Sequence, residues 1–507
     1  MALGLALLYA SAYFLPLLDA PELYFVPSIG HDVIMPSAVA VALLAPLIFG
    51  ATRWLRPEFG RRPPALVWAI VSVLTLIAAR SAFAAMGYSF VDILQSLAGG
   101  DASLNTQRWE YIALAAGAVG TAGWAAWALR ARWPAVVRFM GVLGYSFTVL
   151  AALRISTLPH APVATAAADT PRTPTRRVVW IIFDELDYGE TLGDDTAAGR
   201  ARMPNFFGLR DQAVSGQQAW SPAKDTEESI PALLTGQPIR GAEPDGRGGL
   251  VLKRLKGDLP FTEANSVFTR LPDGPASAAI LGYLHPYCRL FPSVGNCNSY
   301  YLGNIGRWFD GLAFFSESAV AVIRWVPGVA ASLPSSVLHT FRPMYRITDD
   351  MLRILPTLLS REDMALTYIH LNVPHYPSDF AAQVLHLPPT HDNRETYRQN
   401  LPLVDRLIAQ IEAQLRRQAL GQETLLVLSS DHWHRLNSPV AARRIPFIAW
   451  HVGETAPIAI TEPIATVNTG NLVVDFLNAK VTTQPELAQW WRNQPVYPTW
   501  VPDNYKR

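Results

Sequence analysis

The sequence predicts a chain in two parts: an N-terminal helical bundle of five membrane spans, then an α/β domain with a mostly parallel central sheet. Three observations carry this. The long apolar runs crowd into the first ~155 residues. A stretch rich in Ala, Thr and Pro follows, with no apolar periodicity. Beyond it, short apolar runs alternate with amphipathic ones, the pattern of strands joined by helices.

The N-terminal part comes first. Runs at 2–19, 34–51, 65–86, 110–129 and 134–153 are each close to the ~20 residues that cross a bilayer. The first has no basic segment before it and further spans after it, so it reads as a retained span rather than a cleaved signal. Arg53, Arg56, Arg61 and Arg62 lie between spans two and three, and Arg130 and Arg132 between four and five, with Arg138 just beyond. The other two loops carry Asp19, Glu22, Asp32, Asp92, Asp101 and Glu110. Basic loops face the cytoplasm, so five spans place everything after ~155 outside. A soluble helical domain is the alternative reading. The domains are then 1–154 (transmembrane), 155–176 (linker) and 177–507 (extracytoplasmic). Segment 87–109 reads either as a surface-lying loop beneath the outer domain or as an ordinary exposed loop.

Composition agrees. The chain has 507 residues, 50% hydrophobic and only 16% charged, with 15 Trp; this is more apolar than a typical soluble protein. A net charge of +1 gives no reason to expect a nucleic-acid partner. Cys288 and Cys297, in "HPYCRLFPSVGNC", fall in the proposed outer domain, where a disulfide persists; two free thiols are the alternative.

In the outer domain, "RVVWIIFDEL", "SAAILGYL", "MALTYIHLNV", "ETLLVLSSDHW" and "RIPFIAW" read as strands and 395–417 as an amphipathic helix. Ligands of such sheets bind at the carboxyl ends of strands. The polar residues there are Asp184 and Glu185, then Asp431, His432 and His434, then His375. Carboxylates and imidazoles of this kind bind Zn²⁺ or Mn²⁺; capping acids and satisfied histidines are the structural alternative. The stretch "SPAKDTEESIPALLTG" reads as a helix start with Asp225 as cap and Glu228 three residues on, a capping-box pattern. His285, Tyr287 and Arg289 in "YLHPYCR" are candidates either for lining a pocket or for packing.

Four segments in order, "RRVVWIIFDEL", "MPNFFGLRDQAVSGQQAWSP", "TEESIPALLTG" and "LLVLSSDHW", resemble the alkaline phosphatase/sulfatase superfamily over roughly 177–480. With the membrane half included, the chain resembles the phosphoethanolamine transferases and lipoteichoic acid synthases, both of which use a threonine nucleophile. Residues 464–478, "IATVNTGNLVVDFLN", look like the family's closing helix. The resemblance implies an alkaline-phosphatase-like fold and Thr226 as nucleophile, ten residues before Gly236. It implies a divalent metal, zinc first with manganese or calcium as alternatives, on Asp184, Thr226, Asp431 and His432, with Glu185 substituting or assisting. His375 or His434 would serve as general acid or base. Lys224, Arg443 and Arg444 are candidates for substrate phosphate; the two arginines stand where the family usually places a further histidine. A sulfatase mechanism would need Cys or Ser in a C/S-x-P-x-R motif, and here Thr226, Ser229 and Pro231 occur with no Arg. The implied activity is transfer of a phospho-head-group from a phospholipid donor to an envelope glycan or lipid, at the periplasmic face of the inner membrane. A membrane-anchored hydrolase or phosphodiesterase is the alternative, and an inactive binding protein of the same fold a third.

Overall fold

β1 (Arg177–Asp184) is buried at all eight positions, which is why it reads as a continuous apolar run rather than an alternating one. It lies inside an eight-stranded sheet with β2 (Val214–Trp220), β6 (Ala278–Tyr283), β7 (Asn296–Tyr300), β8 (Leu366–Pro374), β9 (Thr424–Ser430), β10 (Arg444–His451) and β11 (Ile458–Ala465). The order is β11-β2-β10-β9-β1-β8-β6-β7. β10 is antiparallel to both of its neighbours and every other pairing is parallel. The expected mostly parallel sheet is therefore present, with one reversed strand. Strands β3 (Gly241–Pro244), β4 (Leu250–Lys253) and β5 (Leu259–Pro260) make a separate antiparallel sheet.

This computed structural model describes residues 174–300, 343–375, 393–435 and 444–496, with a few isolated positions before 154. Gly246–Gly248 and those isolated positions apart, they fall in one compact unit. The five expected spans, the linker up to 173, segment 87–109 and Arg443 lie outside the described residues, save for isolated positions in the spans. Among the described residues no helix is long and apolar enough to cross a membrane.

The helices are α1 (Ala197–Arg202), α2 (Pro204–Arg210), α3 (Thr226–Thr235), α4 (Tyr287–Leu290), α5 (Pro343–Leu359), α6 (Asn393–Leu415), α7 (Thr469–Leu477) and α8 (Gln484–Arg492). Side chains of a strand alternate between faces. Val179, Ile181 and Phe183 of β1 enter a core with Met351 and Leu355 of α5, Leu401, Val404 and Ile408 of α6, and Phe206 and Leu209 of α2. The alternate residues Val178, Trp180 and Ile182 are equally buried. Trp180 meets Tyr368 of β8 edge-to-face at 5.2 Å, and α7 packs on β1. Each such fully buried apolar side chain contributes on the order of 1.5–3 kcal/mol, so β1 is held from both sides.

The strands quoted from the sequence match β1, β6, β8, β9 and β10, and the helix at 395–417 matches α6. β2, β7 and β11 carry no such signal. "VSGQQAW" exposes both glutamines, and the other two are edge strands. Pro463 sits in β11, where an edge tolerates the missing donor. The "PN" of "MPNF" has a structural task. Asp405 of α6 accepts the Phe206 N–H (2.8 Å) and the Asn205 side-chain amide (2.6 Å), capping α2 from a neighbouring helix. Replacing Asp405 by Ala orphans the buried Phe206 N–H. It should destabilise the chain by about 1–3 kcal/mol in urea titrations, and Asp405→Asn, which keeps an acceptor, by clearly less.

Candidate metal centre

The site is assembled where β1 and β9 end. Parallel register pairs Phe183 with Ser430, so the next residues, Asp184 and Asp431, emerge side by side. Ser430 Oγ stitches the two ends. It accepts the Leu186 N–H (2.8 Å) and lies 2.7 Å from the carbonyls of both Phe183 and His432. Asp431 Oδ1 accepts the backbone N–H groups of Glu185 (3.0 Å) and His432 (2.7 Å), which leaves Oδ2 to face the site.

Thr226 arrives on α3. It is the first residue of that helix, and Gly236, in the left-handed conformation, closes it. The ten-residue spacing in "TEESIPALLTG" is thus one helix long. Thr226 Oγ1 donates to Asp431 Oδ2 at 2.6 Å and lies 3.3 Å from His432 Nε2 and 3.5 Å from Asp184 Oδ1. His432 Nε2 is 3.5 Å from Asp431 Oδ2 and 3.7 Å from Asp184 Oδ1. All four residues are buried.

This donor set fits a divalent cation on three counts. Bonds of about 2.0–2.2 Å in a tetrahedral site imply ligand–ligand separations of roughly 3.3–3.6 Å, close to all those observed except the 2.6 Å Thr226–Asp431 hydrogen bond. The Asp184, Asp431 and His432 donor atoms all lie within 4.8 Å of one another. His432 is in the ligand tautomer: Nδ1 sits 3.0 Å from the Trp433 carbonyl, which can only accept, so Nδ1 carries the proton and Nε2 offers its lone pair. Charge completes the case. Burial, then Asp431, then Glu185 push the Asp184 carboxyl well above its usual range. Burial would raise Asp431 too, but the imidazoles of His432 and His370 and the Thr226 hydroxyl hold it below. Buried carboxylates at this density call for a cation.

Other sequence candidates fall around this group. Glu185 does not face it: the chain turns there with φ 67°, and the carboxylate accepts Arg435 Nε at 3.0 Å, with His375 Nε2 3.9 Å away. His434 is buried, stacked on Tyr397 at 3.9 Å, its N–H on Asp187 Oδ2. Lys224 stands 3.6 Å from Asp225 with its side chain 42% exposed. Arg444 donates to the Gln217 carbonyl and lies over the Tyr188 ring. The capping box does not form. Asp225 occupies the N-cap backbone position, but its side chain makes no cap bond; it pairs with Arg435 instead. Ser229 accepts the Ala223 N–H and is buried within α3, away from the four site residues. Cys288 and Cys297 are disulfide-bonded, tying α4 to β7.

Two residues were not singled out from the sequence. His370, inside β8, has Nδ1 3.0 Å from the Tyr283 carbonyl and from the Tyr287 hydroxyl. Among the described residues its Nε2 meets no hydrogen-bond partner, and it lies 4.0 Å from Asp431 Oδ2. The signal was there: an imidazole inside a strand buried at all nine positions. Arg435, three residues past His432, is the other. His285 Nε2 donates to the Thr226 carbonyl at 3.1 Å, pinning the helix start.

Burial lowers His285 to about 3 and His370 to about 4. Each stays neutral in the folded chain while its unfolded counterpart protonates below about 6.5. Their stabilising contribution is therefore complete above that pH and is lost as pH falls. Between pH ~6.5 and ~4, His370→Gln should flatten the stability-versus-pH slope by up to about 1.4 kcal/mol per pH unit, read from denaturation in chelator. An unchanged slope would contradict it.

No curated protein matches the chain by sequence. Solved structures similar to it include the lipoteichoic acid synthase LtaP from Listeria monocytogenes (13% identity, 64% of this chain and 77% of that one, TM-score 0.41). The phosphonate monoester hydrolase SpPMH from Silicibacter pomeroyi is another (14%, 60% and 73%, TM-score 0.39), and Ps i-CgsB with k-i-k-neocarrahexaose a third (14%, 62% and 75%, TM-score 0.41). Residues 317–499, which include His375, Asp431 and His432 but not Asp184 or Thr226, match the Sulfatase family model. Over that segment, about a third of the chain, the sequence is similar to the sulfatase family.

Proposed function

We propose that the chain is a membrane-anchored phosphotransferase. It takes a phospho-head-group from a phospholipid, carries it on Thr226, and passes it to a hydroxyl of an envelope glycan or lipid at the extracytoplasmic face. The observation that carries this reading is the Thr226 hydroxyl, at the first position of a helix and within 2.6–3.5 Å of the donor atoms of Asp184, Asp431 and His432. The Ser and Cys chemistry of a sulfatase has no counterpart there, since Ser229 is engaged inside the helix.

Asp184, Thr226, Asp431 and His432 would hold the cation, zinc being favoured by the two-carboxylate, one-imidazole, one-hydroxyl set. When bound, it lowers the hydroxyl pKa and neutralises charge on phosphoryl oxygens. The chain's residues do the rest. Thr226 gives its proton to Asp431 Oδ2, already its acceptor, and Oγ1 attacks phosphorus. The new P–O bond forms as the bond to the diacylglycerol oxygen breaks, and that oxygen takes a proton from a general acid. The positive end of α3 faces the incoming phosphate. His375 is better suited to proton transfer than His434, because its side chain is 24% exposed whereas His434 is sealed against Tyr397. In the second half-reaction the acceptor hydroxyl gives its proton to His375, its oxygen displaces Thr226 Oγ1 from phosphorus, and Oγ1 takes back the proton left on Asp431. Water as acceptor would make the enzyme a phosphodiesterase.

Incubation of the full-length protein with phospholipid vesicles should yield an intact-mass adduct of head-group phosphate on Thr226. Thr226→Ala should show no adduct and a turnover lower by on the order of 10³-fold or more. Metal content measured in parallel should fall in Asp431→Asn. An adduct on the alanine variant would sink the nucleophile; head-group phosphate released at the same rate with and without acceptor would convert the transferase to a hydrolase.

A further inference from the structure

Arg435 touches none of the four residues assigned to the metal, yet it binds beside three of them. Its Nε donates to Glu185 Oε1 at 3.0 Å, one residue past Asp184. Its Nη1 pairs with Asp225 Oδ1, one residue before Thr226. Arg435 itself stands three residues past His432. One guanidinium thus joins the end of β1, the start of α3 and the segment after β9, the three pieces of chain that converge only in the folded state.

From this geometry we propose that Arg435 is a positioning residue: a two-armed clamp that fixes Thr226 against Asp184, Asp431 and His432 and so sets the affinity of the centre for its cation. The inference rests on the metal reading above. Three features support it. The partners are the flanking carboxylates, so the arginine takes none of the ligand oxygens of Asp184 and Asp431 and does not compete with a cation for them. Glu185 is held by other bonds as well. Its N–H is on Asp431 and its carbonyl accepts the Tyr397 hydroxyl, so pulling on its carboxylate pulls on a fixed point. Asp225, by contrast, has given up its own cap bond to reach Arg435. The planar fork of arginine makes two directional bonds at once, which lysine cannot reproduce.

Clamping and mere charge predict opposite signs. A positive charge near the centre repels a cation, so if charge were its only role, Arg435→Ala would bind Zn²⁺ more tightly. A clamp predicts the reverse. Zn²⁺ affinity of the full-length chain, measured by chelator competition, should weaken roughly 10–100-fold in Arg435→Ala, the range for lost outer partners of metal ligands. Arg435→Lys, which keeps the charge and loses the fork, should also weaken; it carries the test if the alanine variant does not fold. Asp225→Asn, which cuts one arm, should fall between wild type and Arg435→Ala. Thermal unfolding in chelator separates a general loss of stability, which leaves the affinity of folded protein unchanged. Equal or tighter binding in Arg435→Ala, or wild-type affinity in Arg435→Lys, overturns the clamp alone. A wild-type chain that binds no Zn²⁺ overturns the metal centre and the clamp with it.

Discussion

The structure turns on buried negative charge. Asp184, Glu185 and Asp431 sit together at the ends of two adjacent strands, all essentially out of water. Isolated in a low-dielectric interior, such charges are costly, and most of the local architecture answers that cost. Backbone N–H groups converge on Asp431 Oδ1. Arg435 takes Glu185, and the Thr226 hydroxyl donates a hydrogen bond to Asp431. What these do not neutralise is the inner face of the Asp184–Asp431 pair, where His432 presents a lone pair rather than a proton. A divalent cation held there would complete the balance.

Precision at this point is obtained from backbone that is held hard. Glu185 and Leu284 both have positive φ, a conformation costing a non-glycine residue of order 1 kcal/mol or more. They stand just after Asp184 and just before His285. Each sharp turn throws the next or preceding side chain into the site, and each is over-determined: Glu185 by Asp431, Tyr397 and Arg435, the 284–287 segment by Tyr300 and Ser299. Tertiary contacts force a backbone state that local preference disfavours.

Much of the site was legible because strand ends in a parallel sheet are where chemistry collects. An acid closing an apolar run, and an adjacent Asp-His closing another, announce themselves. Asp225 shows where such reading fails. Its spacing to Glu228 fits a capping box, but a guanidinium arriving from 210 residues along the chain outcompetes the local bond. His434, next but one to His432, read in sequence as a candidate general acid or base. The turn after β9 sends its ring onto Tyr397 instead of into the site.

By itself, then, the sequence determined the buried strands, the amphipathic helix at 395–417 and the one-helix spacing from Thr226 to Gly236, because period, burial and helix length are local properties of residue order. It also carried the identities of the four converging side chains. Only the tertiary structure decided which histidine offers a lone pair, which acid faces the centre and which arginine binds beside it. Those outcomes depend on sheet register, on backbone turns held by distant partners and on competition among charges, none of which is encoded in spacing along the chain.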